Sequence, residues 1–322
     1  MQELNSQKVS LEVAKQICDA VANNVQRVIQ GKELSIRRAM ACWLGGGHVL
    51  LEDVPGTGKT MLARALAASI NTHTKRIQFT PDLMPGDIIG SSIYQRDKNA
   101  FVFMPGPIFT NVLLADELNR ATPRTQSALL QVMAEGQCSA ENQTFNLPKT
   151  FFVIATQNPV EQHGTFPLPE AQLDRFLMRI SLGYPDPVSE AKVIRSQLIN
   201  HPIDNLGAVC SEEQWQGVRE LVKSVEVSDG VINYAMGLVK STRDDPRLVL
   251  GCSPRATIAL VRLGQAFAVM SGESFVKPDY LKRLAPAVLE HRLIVSTKSR
   301  MDRVKESQIV DEILQRVPVP VK

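Results

Sequence analysis

The amino-acid sequence predicts an α/β fold, a parallel sheet held between helices, continued by a smaller all-helical domain. Three observations carry this. Short, continuously apolar runs, "GHVLLE", "NVLLAD" and "TFFVIATQNP", recur through the first half and read as strands buried on both faces. A glycine-rich loop follows the first of them and opens a helix-periodic segment. Beyond "YPDP" at 184–187 the pattern is helical, with few strand signals.

In chain order, "LEVAKQICDAVANNVQRVI" is a helix ahead of the core, so residues 1–24 form an N-terminal helical segment, 25–184 the α/β core and 185–322 the helical domain. After the glycine loop, "KTMLARALAASI" places Leu62, Leu66 and Ile70 four apart, one apolar stripe to lie on the sheet. Segments 90–104 and 137–147 alternate apolar residues around "QRDKNA" and "AENQ", as hairpins do. "PEAQLDRFLMRI" reads as a helix with Leu173, Phe176 and Leu177 on one side and Arg175 pointing elsewhere. Asp186 caps the next helix ahead of Pro187, and Ser211 with Gln214 makes a capping box. In "GCSPRATIALVRLGQAFAVM", Ser253 is the cap, Pro254 sits in the first turn, and Arg255 points outward from a helix N-terminus. A cation there is unfavourable against the helix dipole unless an anion is present too.

Composition narrows the function classes. With 322 residues, 44% hydrophobic and 21% charged, the chain can bury a large core in two domains. No apolar run approaches the ~18 residues of a membrane span, and "MQELNSQKVS" lacks the basic and hydrophobic blocks of a signal peptide, which predicts a cytoplasmic protein without an integral membrane segment. Five cysteines without a C-x-x-C pair indicate neither a disulfide framework nor a zinc site; they are expected to be buried. A net charge of +3 with no block of Lys or Arg gives no case for nucleic acid.

The loop "EDVPGTGKT" at 52–60 carries the first chemistry. Asp53 stands where G-x-x-x-x-G-K-[ST] has its first glycine, at a strand-to-loop turn that a non-glycine residue can fill. Gly56 and Gly58, between Pro55, Thr57 and the helix start at Met61, let backbone N–H groups converge on phosphate. Lys59 then reaches the β- and γ-phosphates, and Thr60 offers its hydroxyl to magnesium. Asp116 and Glu117 end the second apolar run, where Asp116 would hold Mg²⁺ through water and Glu117 would orient the attacking water. Asn158, closing the third run before Pro159, can bond both that water and the γ-phosphate. Arg175 reads either as a surface residue or, in an oligomer, as a cation for a neighbour's γ-phosphate. Arg120 and Arg124 are further, weaker candidates for such an interface.

Together, the loop at 55–60, the Asp116–Glu117 pair, Asn158, Arg175 and Arg255 resemble the Walker A, Walker B, sensor 1, arginine finger and sensor 2 of AAA+ ATPases. "GDIIGSSIYQ", "PGPIFTNVLLADELNRATPRTQSALLQVMAEGQ", "ATQNPVEQHGTFPLPEAQLDRFLMRI" and "SPRA" are similar to the MoxR family, over about residues 28–293. The resemblance implies a P-loop AAA+ core with a helical lid, binding ATP with Mg²⁺ and hydrolysing it in a homo-oligomeric ring, usually a hexamer. It implies a chaperone-like action on client proteins, including metal-cofactor insertion, often beside partners with von Willebrand A domains. It also implies that Val28, Ile29 and Gly31 pack around adenine, that Arg255 and Lys59 clamp the phosphates, and that the two hairpins face the client. Two other motors remain open, one acting on nucleic acid and one resembling a magnesium-chelatase subunit.

Overall fold

The computed structural model describes residues 9–140, 143–159, 164–198 and 201–320. The first eight residues of the predicted N-terminal segment, and Glu141 and Asn142 at the second hairpin's tip, lie outside that set. Helices α1 (Leu11–Gln26) and α2 (Glu33–Leu44) precede strand β1 (Val49–Glu52), the glycine loop and α3 (Lys59–Ser69). Next come β2 (Thr74–Gln78), the short α4 (Pro85–Ile89) and a hairpin, β3 (Gly90–Gln95) with β4 (Ala100–Pro105). Then follow β5 (Val112–Asp116), α5 (Pro123–Glu135), a second hairpin, β6 (Gln137–Ala140) with β7 (Gln143–Asn146), and β8 (Phe152–Gln157). The core closes with α6 (Glu170–Leu173) and β9 (Met178–Ile180).

These strands form a parallel five-stranded sheet in the order β2-β5-β8-β1-β9. Period-two alternation sorts its side chains. Val49, Leu51, Val112, Leu114, Phe152 and Ile154 enter one hydrophobic core with α1, α2 and α3. Leu50, Leu113, Ala115, Val153 and Ala155 enter a second core, under α5. Leu62, Leu66 and Ile70 are fully buried, as their spacing predicts, and all five cysteines are buried. Trp43 anchors the first core: its ring stacks on Phe152 at 5.2 Å and Nε1–H donates to Thr150 O at 2.6 Å.

Two elements differ from the sequence reading. The expected helix through 169–180 stops at Leu173, and Met178–Ile180 instead forms β9 against β1. Three residues are too few to show a strand period, and the apolar spacing fitted a helix as well. Strand β2 was not anticipated either, because as an edge strand it buries only Ile77 and reads as a polar stretch.

The C-terminal region is α7 (Pro187–Gln197), α8 (Glu212–Val222), α9 (Asp229–Arg243), β10 (Leu248–Leu250), α10 (Pro254–Ser271), α11 (Pro278–Leu289), β11 (Ile294–Val295), α12 (Thr297–Met301) and α13 (Glu306–Arg316). The small β10–β11 pair is a departure from an all-helical lid. The predicted caps form: Asp186 accepts from Val188 N and Ser189 N, Ser211 and Gln214 cap reciprocally, and Ser253 accepts from Arg255 N. Helix α1 packs against α2, α3, α8 and α10, so the N-terminal helix and the lid share the first core with the sheet. Among the described residues, no helix is long and apolar enough to cross a membrane.

Candidate active site

The C-terminal ends of β5, β8 and β1 lie side by side and bring the predicted acids, amide and loop to one sheet edge. In the loop, Gly56 and Gly58 take φ of +84° and +91°, left-handed backbone that favours glycine. Lys59 Nζ donates to Asp53 O at 2.8 Å, folding the lysine back over the loop. Asp53 needs no glycine-like φ. Its buried carboxylate accepts from Ser181 Oγ (2.7 Å), Leu182 N (2.5 Å) and Gly183 N (3.0 Å), and so ties the loop to the strand leading to the lid.

The two acids are already engaged. Asp116 Oδ2 accepts from Arg76 Nε (3.1 Å) and Nη2 (2.7 Å), and Oδ1 from Thr156 Oγ1 (2.6 Å). The same Thr156 oxygen accepts from Glu117 N at 2.8 Å. Glu117 has φ +57°, unusual without glycine, which aims its side chain off the strand end. Its Oε2 accepts from Gln78 Nε2 (2.7 Å) and Arg120 Nη1 (2.9 Å). Arg120 therefore pairs with Glu117 of its own chain. Asn158 is buried just past β8. Sequence reasoning missed Arg76, Gln78 and Thr156. A signal existed for Thr156, a hydroxyl at the end of the apolar run "FFVIA", but none for the polar stretch holding Arg76 and Gln78.

A cleft beside the loop is lined by Val28, Ile29, Gly58, Met61, Pro185 and Val193, among others. Ile29 reaches the loop itself, its Cδ1 lying 3.4 Å from where a Gly58 side chain would start. Gly31 turns with φ +70°, and a Cβ there would collide with Ser189 Oγ and Asp186 Oδ2 at the cap of α7. It brings the cleft wall against the lid. For magnesium, Thr60 in the first turn of α3 and Asp116 at the end of β5 supply hydroxyl and carboxylate oxygens, a donor set suited to that ion.

Arg175 and Arg255 lie elsewhere. Leu177 N donates to His48 O, immediately before β1, so this region sits at the opposite end of the sheet from the loop. Arg175, Arg255, Arg262 and Arg292 line one cavity there with Asp174 and His48. Arg175 Nη1 donates to Leu130 O at 2.9 Å. Asp174 supplies the anion at the start of α10: Oδ2 accepts from Ser253 Oγ (2.8 Å) and lies 4.0 Å from Arg255 Nη1. Buried Arg292 donates to Asp174 Oδ1 (2.8 Å), Phe176 O (2.5 Å) and Val288 O, fastening the lid to the Arg175 segment. The fold thus places Arg255 beside Arg175 and not beside Lys59. His48 accepts from Val153 N at Nδ1, which leaves the proton on Nε2 for Met133 O. Burial, aided by Arg219, pushes its pKa down to about 4, although the Met133 contact opposes this.

Residues 48–178 match the ATPase family associated with various cellular activities (AAA), and residues 240–313 match an AAA lid domain. The chain is 46% identical over 299 residues to the uncharacterized protein YeaC of Bacillus subtilis, covering 93% of each chain. It is 37% identical to chaperone MoxR1 of Mycobacterium tuberculosis, over 92% of this chain and 80% of that one. Protein MoxR of Paracoccus denitrificans is 30% identical, over 91% and 93%. A crystal structure of a Cytophaga hutchinsonii protein superposes with a TM-score of 0.90 at 36% identity, covering 97% of both chains. With an AAA core, an AAA lid and MoxR relatives aligned over nearly its whole length, the chain belongs to the MoxR family of AAA+ ATPases.

Proposed function

We propose that this chain hydrolyses ATP at sites shared between neighbouring copies in a ring, a hexamer by the family's habit, and uses the cycle to remodel client proteins. The observation that supports this is the separation of the site's two halves. The loop, Asp116, Glu117 and Asn158 occupy one end of the sheet, while Arg175 and Arg255 occupy the other. One protomer cannot bring both to a single nucleotide, whereas a head-to-tail ring does so at every interface.

In this reading Val28, Ile29 and Met61 hold the base, with Gly31 setting their wall against the lid. The backbone N–H groups of 56–60 and the Lys59 side chain hold the phosphates. Thr60 and Asp116 would hold magnesium, which would supply neutralising charge to the phosphates. Glu117, released from Gln78 and Arg120, orients water for in-line attack, and Asn158 bonds that water and the γ-phosphate. Arg175 and Arg255 of the adjacent protomer stabilise the charge that develops in the transition state. The expectation that Arg255 clamps its own chain's phosphates is replaced by action across the interface.

The two hairpins are the proposed client surface. They pack as one unit, Phe103 stacking on Phe145 at 4.4 Å with Phe109 edge-on to both. On β3–β4, Tyr94 and Phe101 are exposed edge-to-face as a cross-strand pair on one face, and Ile93 and Met104 are exposed on the other, apolar side chains of the kind that mark a protein-binding surface. A client in a complex with a von Willebrand A protein, including one awaiting its metal cofactor, fits the MoxR relationship. The test is capture from cell extract in ATP with Glu117→Gln. Recovery of a defined partner that is lost when Tyr94 and Phe101 are both replaced by Ser supports the reading, and partner recovery indifferent to nucleotide and to those residues contradicts it.

A further inference from the structure

Arg262 has no part in the site as described so far, yet it lines the same cavity as Arg175. Along α10, Arg255, Ile258, Ala259 and Arg262 all face that cavity, the i, i+3, i+4, i+7 stripe of one helix side. Their neighbours differ in commitment. Arg292 is buried and fully bonded, Arg255 is near Asp174, and Arg175 bonds Leu130 O. Arg262 is exposed and has no hydrogen bond or ion pair among the described residues. It also stands near a like charge. Arg219 lies against Gly46 at the cavity wall and donates to Lys149 O; burial disfavours its charged form, Glu220 favours it, and Arg262 opposes it. Arg219 has Glu220 nearby and Arg255 and Arg292 have Asp174, so Arg262 is the guanidinium of this group without a carboxylate among the described residues, and an incoming anion would pair with it.

Resting on the shared-site reading, we infer that Arg262 is a third phosphate-binding arginine, lent by each protomer to the nucleoside triphosphate of its neighbour. Seven residues of helix separate it from Arg255 by ~10 Å, so the two reach different parts of the polyphosphate. Arg255 and Arg175 take the γ-phosphate end, and Arg262 takes the phosphates nearer the nucleoside. A planar fork of N–H donors suits that task better than an ammonium.

The test compares Arg262→Ala and Arg262→Lys with wild type, alone and mixed with Glu117→Gln. Exposure and lack of partners make both variants fold normally, which circular dichroism checks. Arg262→Ala is expected to lower kcat/KM for ATP about tenfold, with partial recovery in Arg262→Lys. Mixing Arg262→Ala with Glu117→Gln should raise turnover above the sum of the two, because an intact loop then meets an intact Arg262. Unchanged kinetics would overturn the inference. So would an equal assembly defect with and without nucleotide in sedimentation, which would assign Arg262 to a carboxylate of the neighbouring chain. If Arg175→Ala gains on mixing with Glu117→Gln and Arg262→Ala does not, Arg262 alone is misassigned. If neither gains, the shared-site reading falls with it.

Discussion

At the C-terminal end of the sheet, Asp116, Glu117 and the amides of a glycine loop gather, their carboxylates held by Arg76, Thr156, Gln78 and Arg120. At the N-terminal end, Arg175, Arg255, Arg262 and Arg292 line one cavity, where Asp174 bonds Arg292 and lies near Arg255. The first end has the parts proposed to bind and orient a nucleotide and its water. The second has positive charge of the kind the proposed transition state calls for. In the proposed reading each is half of a site, and that reading accounts for an arginine at the unfavourable end of α10: Asp174 steadies it in the free chain, and a phosphate would complete it.

The largest expected effect breaks the second half. Arg175→Ala should lower turnover by about 10³-fold while nucleotide still binds, as for a displaced arginine finger. Steady-state turnover beside equilibrium binding of a fluorescent ATP analogue checks this, and a loss of binding in step with turnover would move Arg175 out of its role. Next is Glu117→Gln in the first half, expected to cut turnover by about 10²-fold with binding intact. Unchanged turnover would remove Glu117 from water activation.

A smaller effect sharpens how the first half is built. Thr156→Val keeps the shape of a fully buried residue but removes the hydroxyl shared by Asp116 Oδ1 and Glu117 N. It should cost about 1–3 kcal/mol of stability and lower turnover about tenfold. Denaturant titration together with kinetics separates the two, and stability loss without a kinetic defect would make Thr156 a purely structural residue.

The smallest concerns acid and the second half. The pKa of His48 is lowered to about 4 from 6.5, so the unfolded chain binds its proton more readily. The stability this contributes is complete above pH 6.5 and is lost as pH falls toward 4, ~2 kcal/mol of it by pH 5. Buried His291 is shifted the same way, chiefly by burial, and adds to the loss. Unfolding curves at pH 7.5 and pH 5 test the sign, and equal stability at both would show that these rings do not stay neutral in the fold.

The first half was legible in the sequence because its parts are local. Apolar runs mark β1, β5 and β8, and the loop and acids sit at their ends within a few residues. What held the acids was not, since Arg76 and Gln78 come from an edge strand whose exposure erases the apolar pattern. The second half was legible as residues but not as a place. Arg175 meets Arg255 through Asp174, Ser253 and Arg292, contacts spanning 79 and 118 positions that no spacing reveals. The same long-range packing, of α1 and α10 in one core with the sheet, moved Arg255 from its expected place beside Lys59 to the opposite end.

The central claim is that neither half works alone, and mixing two crippled variants tests it most directly. Glu117→Gln lacks a working first half and Arg175→Ala a working second half. In an equal mixture, roughly a quarter of head-to-tail interfaces regain both, so ATP turnover should rise to that share of wild type. Turnover that stays at the average of the two separate variants at every mixing ratio would contradict the account.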